Sequence, residues 1–374
     1  MTPREKLLAV RAELRSAFVE RDEAIDGLIL ALLSRQHVLL LGPPGTAKSM
    51  LARELVRRLD GKRGFEWLLT KFTTPEELFG PVSLPALEEG RYERVTFGKL
   101  PEAEIVFLDE VWKASSAILN ALLTVMNERR FHQGTKVLDV PLLTLVAASN
   151  EIPEEDELGA LYDRFLLRFT VGYVERDHRF LRMLTLSESG EPGARLSAGE
   201  LSSLFRDVER VPVPDNVLTD LLEVRKELTK EGVVASDRRY RLSLQVLKAA
   251  AVLEGRERAA AGDLRWLEHV LWTDPEDRPK VSAALAKIAT GFEEDLKKLL
   301  EQAREVEAYA RRTWPDGQSK SRAVLEAHTK LKDLERRARQ VEESAKERGR
   351  HTSRLAEMAT ELSDLSRSLL KAQN

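Results

Sequence analysis

The chain has 374 residues and no cysteine, which excludes disulfides, thiol nucleophiles and cysteine metal sites. Its 59 Lys and Arg stand against 62 Asp and Glu, and a formal charge of −3 supplies no global field toward nucleic acid or a membrane surface. The length suits two or three domains with a sizeable core. No apolar run approaches the ~18 residues of a membrane span, and residues 1–10 lack a secretory signal pattern, so no membrane insertion and a cytoplasmic location are expected.

Residues 1–36 have helical spacing, with a break at Val19-Glu20-Arg21 between two apolar series. The loop around Val19 to Arg21 is a candidate wall for an adenine base, with Val19 the residue singled out; packing of helix on sheet is the alternative. Val38 to Leu41 is a short apolar run of the kind that forms a fully buried parallel strand. It is followed directly by Gly42-Pro43-Pro44-Gly45-Thr46-Ala47-Lys48-Ser49, and from Met50 the chain resumes helical spacing. Strand, glycine-containing loop, Lys-Ser and helix together describe a P-loop. Loop N–H groups and a helix N-terminus would face the phosphates of ATP. Lys48 would add a cation, and the Ser49 hydroxyl could ligate Mg²⁺. Ala47 occupies the position where a second glycine is usual.

Residues 65–70 predict a second strand, and Thr73 to Pro81 a short capped helix. Residues 83–97, with Glu89-Gly90 between two short runs, predict an inserted hairpin. Ile105 to Leu108 is a further buried strand that ends in Asp109 and Glu110. Downstream of a P-loop, Asp109 suits the Mg²⁺ shell and Glu110 suits activation of the attacking water. A helix is expected from Ser115 to Glu128, then a second hairpin turning at Gln133-Gly134. The apolar run 142–148 forms another strand, and Asn150 at its tip could position water or sense the γ-phosphate; a simple turn cap is the alternative. Arg164 and Arg168, four residues apart before a strand expected over 169–171, suit stabilisation of phosphoryl charge or else surface ion pairs.

The Gly/Pro/Ser-rich stretch 187–197 marks a boundary, and residues 198–274 have the pattern of a helical bundle. Ser236-Asp237-Arg238-Arg239 starts one of its helices, from which Arg238 or Arg239 could reach back to bound nucleotide. Beyond Pro279 the apolar residues recur every three and four positions, interrupted at Trp314-Pro315-Asp316-Gly317. This predicts two long antiparallel helices, the second continuous through weak positions at Arg348 and Thr352. An arm docking a partner is expected; dimerisation between rings is the alternative. The fold expected is therefore α/β: a P-loop parallel-sheet domain with hairpin inserts over 1–186, a helical lid over 187–279 and a C-terminal helical-hairpin arm over 280–374.

In this order, the two strand-end motifs, Asn150 and the Arg164 region resemble an AAA+ ATPase of the MoxR group. The Ala-Lys-Ser ending of the P-loop and the two hairpin-like inserts resemble that group in particular. Val19-Glu20-Arg21, Leu161-Tyr162-Asp163-Arg164 and Ser236-Asp237-Arg238-Arg239 look closer still to the RavA-type regulatory ATPases. The resemblance covers about residues 5–275. It implies an ATP-dependent hexameric ring that remodels or activates client proteins, usually with a partner containing a von Willebrand factor A domain. By motif match, Asn150 is implied as first sensor and Arg164 as the arginine acting on a neighbour, with Arg168 as the alternative. Arg238 is implied as second sensor, with Arg239 as the alternative. RavA-type proteins carry a small β-rich domain inserted in the arm; here residues 314–318 join the two arms directly, and contacts of that domain do not carry over. A nucleic-acid motor is a competing function, because Arg129, Arg130, His132 and Lys136 sit on the second hairpin. A nucleotide-gated scaffold is another, and Glu110 argues against it.

Overall fold

The computed structural model of the chain describes residues 1–134, 136–153, 158–186, 190–347 and 353–371. These divide into two compact units. One comprises residues 1–213, 234–259 and 266–278; the other comprises 214–233, 260–265 and 279–374. The helical segment expected as one lid is thus shared between the two.

The first unit opens with α1 (Pro3–Ala17), started by a capping box between Thr2 and Glu5, and α2 (Asp22–Ser34), buried along nearly its whole length. Arg11 and Arg15 of α1 both pair with the buried Asp26 of α2, which fixes the two helices together. The chain then forms β1 (His37–Leu41), α3 (Lys48–Arg57), β2 (Gly64–Leu68), α4 (Pro75–Phe79) and α5 (Leu84–Glu88). It continues with β3 (Ile105–Asp109), α6 (Ser116–Glu128), the hairpin β4 (Arg130–Gln133) and β5 (Lys136–Asp139), and β6 (Thr144–Ser149). After α7 (Gly159–Arg164), β7 (Phe165–Thr170) and α8 (Asp177–Thr185), helices α9 (Ala198–Arg210) and α11 (Asp237–Leu253) pack on α2.

The main sheet has the order β2-β3-β6-β1-β7 and is parallel at every pairing. Its three central strands, β3, β6 and β1, are almost wholly buried, as continuous Val, Leu, Ile and Ala runs require when helices cover both faces. Register places Leu41 beside both Ser149 and Thr170, and Leu108 beside Ala147, so the C-terminal strand ends gather at one edge. At the opposite edge the buried His37 Nδ1 accepts the Leu145 N–H at 3.0 Å, while Nε2 lies 2.8 Å from Arg129 Nη1 and 3.3 Å from Met126 O. Burial holds its pKa well below the ordinary histidine value, so the ring is neutral here.

Two expectations change. Residues 84–88 are helical rather than a strand: Ser83 caps the turn, accepting from Ala86 N, and Pro85 stands in its first turn. The two ends of that insert still meet antiparallel through Val82 and Arg94. β7 begins at Phe165, four residues earlier than expected, so Arg168 lies inside a strand.

The second unit holds α10 (Asp215–Lys230), α12 (Arg278–Ala310), α13 (Gly317–Glu347) and α14 (Ser353–Lys371). Trp314 to Asp316 break the chain as expected; Asp316 accepts from both Ser319 N–H and its hydroxyl, starting α13. The second arm, however, is two helices and not one. α14 folds back along α13, with Ser363 Oγ donating to Glu335 at 2.9 Å, and it also reaches α12 through the Arg304–Glu361 pair at 2.5 Å. Leu299, Ala303, Leu331, Ala338, Leu355 and Leu362 form one core, so the apolar stripes cover each other three ways. The expected weak positions Arg348 and Thr352 lie outside the described residues.

Since the chain has no cysteine, a Glu335→Cys, Ser363→Cys double variant gives a clean test of this fold-back. A short bifunctional maleimide should cross-link the two positions within one chain, seen as a mobility shift on denaturing gels. A second helix running on straight would leave them unlinked.

Candidate functional site

The loop after β1 is shaped by close backbone approach. Gly42 N–H extends the parallel ladder by donating to Ser149 O at 2.9 Å, and a Cβ at Gly42 would stand 2.0 Å from Val171 O. Only glycine fits there. Gly45 has a φ of +78° with open space around it, and Ala47 has a φ of +66°. The left-handed backbone at Ala47 explains why glycine is usual at that position, and an alanine there costs about 1–2 kcal/mol. Neighbouring bonds hold the strained loop in place. The buried Lys48 donates from Nζ to Gly42 O at 2.7 Å and Pro43 O at 2.8 Å, and Thr46 Oγ1 donates to Pro43 O at 3.0 Å. Burial lowers the Lys48 pKa, opposed by the charges of Asp109 and Glu110. Ser49 lies half-buried in the first turn of α3.

Asp109 ends β3, and its Oδ1 accepts the Glu110 N–H at 3.0 Å. Glu110 has a φ of +53°, a left-handed conformation that turns its side chain off the strand direction. Its carboxylate is ion-paired with Lys113 at 3.1 Å. Asn150 is exposed, one residue past β6, next to the Ser149 carbonyl that binds Gly42. The fold therefore brings residues 42–50, Asp109, Glu110 and Asn150 to a single sheet edge. Beside them lies a cavity of about 520 Å³, walled by Val19, Val174 and Met183 and floored by Gly45, Ala47 and Met50. An apolar cavity opening on phosphate-binding backbone fits a nucleoside with its base away from the loop.

Arg21 ends the stretch 19–21 expected as a base wall, and the structure gives its side chain a bridging part as well. It is 8% exposed and donates to Thr46 O at 3.2 Å, Gly172 O at 2.6 Å and Glu20 O at 2.7 Å. One guanidinium thus joins the α1–α2 connection, the P-loop and the segment after β7. Glu20 adds a second link by accepting Glu175 N–H at 2.9 Å. No spacing pattern pairs residue 21 with residues 46 and 172.

The four arginines separate into two kinds, and none stands at this edge. Arg164 directly precedes β7, whose first residue Phe165 pairs with His37 at the other end of β1, and Arg168 lies within β7 opposite Leu39. About 13 Å of strand divides the two edges. Arg168, 1% exposed, donates to Trp272 O and to Tyr162 O at 2.9 Å and stacks 3.8 Å over the Tyr162 ring. Burial pulls its pKa down to about 10. Arg239, also 1% exposed, donates to Val270 O at 2.5 Å, Leu166 O at 2.6 Å and Phe165 O at 3.1 Å. Both are structural, which removes Arg168 as an arginine for a neighbour and Arg239 as a nucleotide sensor. Arg164 and Arg238 are half-buried, and Arg238 donates to Asn127 Oδ1 of α6 at 3.0 Å. Arg238 therefore sits against α6 and not at the P-loop where the sequence reading expected it to reach.

The charges of the second hairpin are largely engaged. Arg129 caps α6, donating to Met126 O and Arg35 O, while Lys136 pairs with Glu93 at 2.6 Å and Arg130 lies 3.8 Å from Asp139. Such paired charges make a poor phosphate-backbone surface.

Comparison with known proteins agrees with this geometry. The sequence profile of the MoxR domain in the MoxR-vWA-beta-propeller ternary systems matches residues 5–191, and that of an AAA lid domain matches residues 216–285. An uncharacterised protein of Methanocaldococcus jannaschii is 41% identical over 284 residues, 76% of each chain. Chaperone MoxR1 of Mycobacterium tuberculosis is 32% identical over 165 residues, 43% of each chain. The crystal structure of a candidate ATPase from Cytophaga hutchinsonii superposes with a TM-score of 0.62 at 19% identity, covering 76% of this chain and 94% of that one.

Arg21→Ala should lower the unfolding free energy by about 2–3 kcal/mol, because buried carbonyls lose charged donors. Urea unfolding measures this. Arg21→Lys should recover little of the loss, since one ammonium cannot span the carbonyls of both Thr46 and Gly172.

Proposed function

This chain belongs to the MoxR family of AAA+ ATPases, and we propose that it hydrolyses ATP at the interfaces of a ring of its own copies, hexameric in the family's manner, to remodel client proteins. The observation that carries the reading is the separation of parts. Lys48, Asp109, Glu110 and Asn150 lie at one edge of the sheet, while the half-buried arginines Arg164 and Arg238 lie at the other. An arginine that serves phosphoryl transfer from that position must serve another copy. Head-to-tail contacts of this kind close into rings.

The residues divide the work by chemistry. Lys48 keeps a third N–H beyond the two given to loop carbonyls, and that donor faces the β/γ-phosphates. A Mg²⁺ ion bound with ATP would be held by Ser49 and Asp109, whose hydroxyl and carboxylate fit an oxygen shell, and would neutralise phosphate charge. Glu110 takes a proton from the attacking water, and Asn150 orients that water. The base lies against Val19. Arg164 and Arg238 of the adjoining copy stabilise the charge on the transferring phosphoryl group. The partner is a protein with a von Willebrand factor A domain, read from the systems for which the matching profile is named. The RavA-type likeness rests on three sequence motifs alone. The three-helix arm of α12, α13 and α14 is a docking surface for such a partner.

Lys48→Ala should lose tight ATP binding in an equilibrium titration. Glu110→Gln should still bind ATP while kcat falls by about 100-fold or more; normal turnover by that variant would sink the assignment.

Arg164→Ala should lower kcat by about 1000-fold with ATP binding retained. Mixing Arg164→Ala with Lys48→Ala subunits should restore part of the activity, because one interface then regains intact parts from each. A protein that hydrolyses ATP as a strict monomer would remove the ring from the mechanism.

A further inference from the structure

Arg164, Arg168, Arg238 and Arg239 meet where α7 runs into β7 and α11 begins, and Asp163 is the carboxylate set among them. Arg239 gives all three of its nitrogens to backbone carbonyls, and Arg168 gives both terminal nitrogens to them while its Nε stays buried without a hydrogen bond. Arg238 has one nitrogen on Asn127 Oδ1, while its Nη1 is buried without a hydrogen bond, 3.9 Å from Asp163 Oδ2. Arg164 likewise has a buried Nε without a partner, and its Nη1 donates to Ala160 O at 3.2 Å. Burial and then the nearby Arg164 charge lower the Arg238 pKa, so the two cations stand close enough to repel. Something must hold them together.

Asp163 is placed to do so. Its Oδ1 accepts the Ser236 hydroxyl at 3.0 Å, and Ser236 is the N-cap of α11, two residues before Arg238. Its Oδ2 faces Arg238, and its own backbone leads directly into Arg164. We propose that Asp163 is a positioning residue that holds Arg238 beside Arg164, so that both guanidiniums present to the neighbouring copy's phosphates as one fork. The inference rests on the ring reading above and adds a residue that touches neither nucleotide nor water. The carboxylate offsets the repulsion between the arginines through charge. It fixes the start of α11 through the hydrogen bond to Ser236.

The test uses the full-length protein. Asp163→Asn keeps an oxygen for the Ser236 hydroxyl and removes only the charge. It should lower kcat by about tenfold, with KM for ATP little changed because the P-loop is untouched. Mixing it with Lys48→Ala subunits should recover activity. In an Arg238→Ala background the Asp163→Asn change should cost almost nothing further, a coupling that a merely structural role would not produce. If Arg238→Ala slows turnover while Asp163→Asn leaves kcat at the wild-type value, the positioning role is wrong and the ring reading survives. If Arg164→Ala and Arg238→Ala both leave turnover intact, the ring reading itself fails. Should Asp163→Asn not fold, Ser236→Ala removes the tether together with the cap on the Arg239 N–H, and Ser236→Asn, which keeps a capping oxygen, controls for the cap: a fall of about threefold in kcat that vanishes without Arg238 supports the proposal, and an unchanged kcat overturns it.

Discussion

Burying a guanidinium costs heavily unless most of its donors find acceptors, and the carbonyls that Arg168 and Arg239 find organise one whole corner of this molecule. Between them they take carbonyls from Tyr162, Phe165, Leu166, Val270 and Trp272. These come from α7, β7 and the segment near residue 270, so the start of α11 is tied to the start of β7. Each charged bond contributes about 1.5–3 kcal/mol, and leaving any carbonyl bare would cost about as much. The neighbouring residue in each pair, Arg164 or Arg238, is thereby fixed in place while remaining partly exposed. Arg168 and Arg239 are spent on the structure, and Arg164 and Arg238 stay partly exposed.

The same logic operates at the other edge through Arg21. There a single side chain satisfies carbonyls from the P-loop and from the segment after β7. It supports a loop that carries a left-handed alanine and a lysine turned onto its own carbonyls. The strain at Ala47 and Glu110 is local, and it lies where the backbone must turn phosphate-binding groups outward. Both edges thus depend on buried arginines that bridge distant parts of the chain. The parallel sheet between them sets the distance.

Much of this was legible in the residues. The P-loop, the Asp109-Glu110 strand end and Asn150 are local signals: each couples a short apolar run to the residues that follow it directly. Parallel strands then bring their C-terminal ends to one edge without further information. The cap before Pro75 and the serine at 236 placed helix starts for the same reason, since a cap is satisfied within three residues.

What spacing could not decide is which of two similar residues is buried. Arg164 and Arg168 are equivalent in a sequence, as are Arg238 and Arg239; only the carbonyls that converge on Arg168 and Arg239 from far along the chain separate them. The part played by Arg21 and the fold-back of α14 are of the same kind, because each depends on partners from 25 to 151 residues away in one case and on a three-way core in the other. Local order determined the chemistry at the strand tips. Long-range satisfaction of buried donors, which no local pattern encodes, decided which arginines are buried and which stay partly exposed.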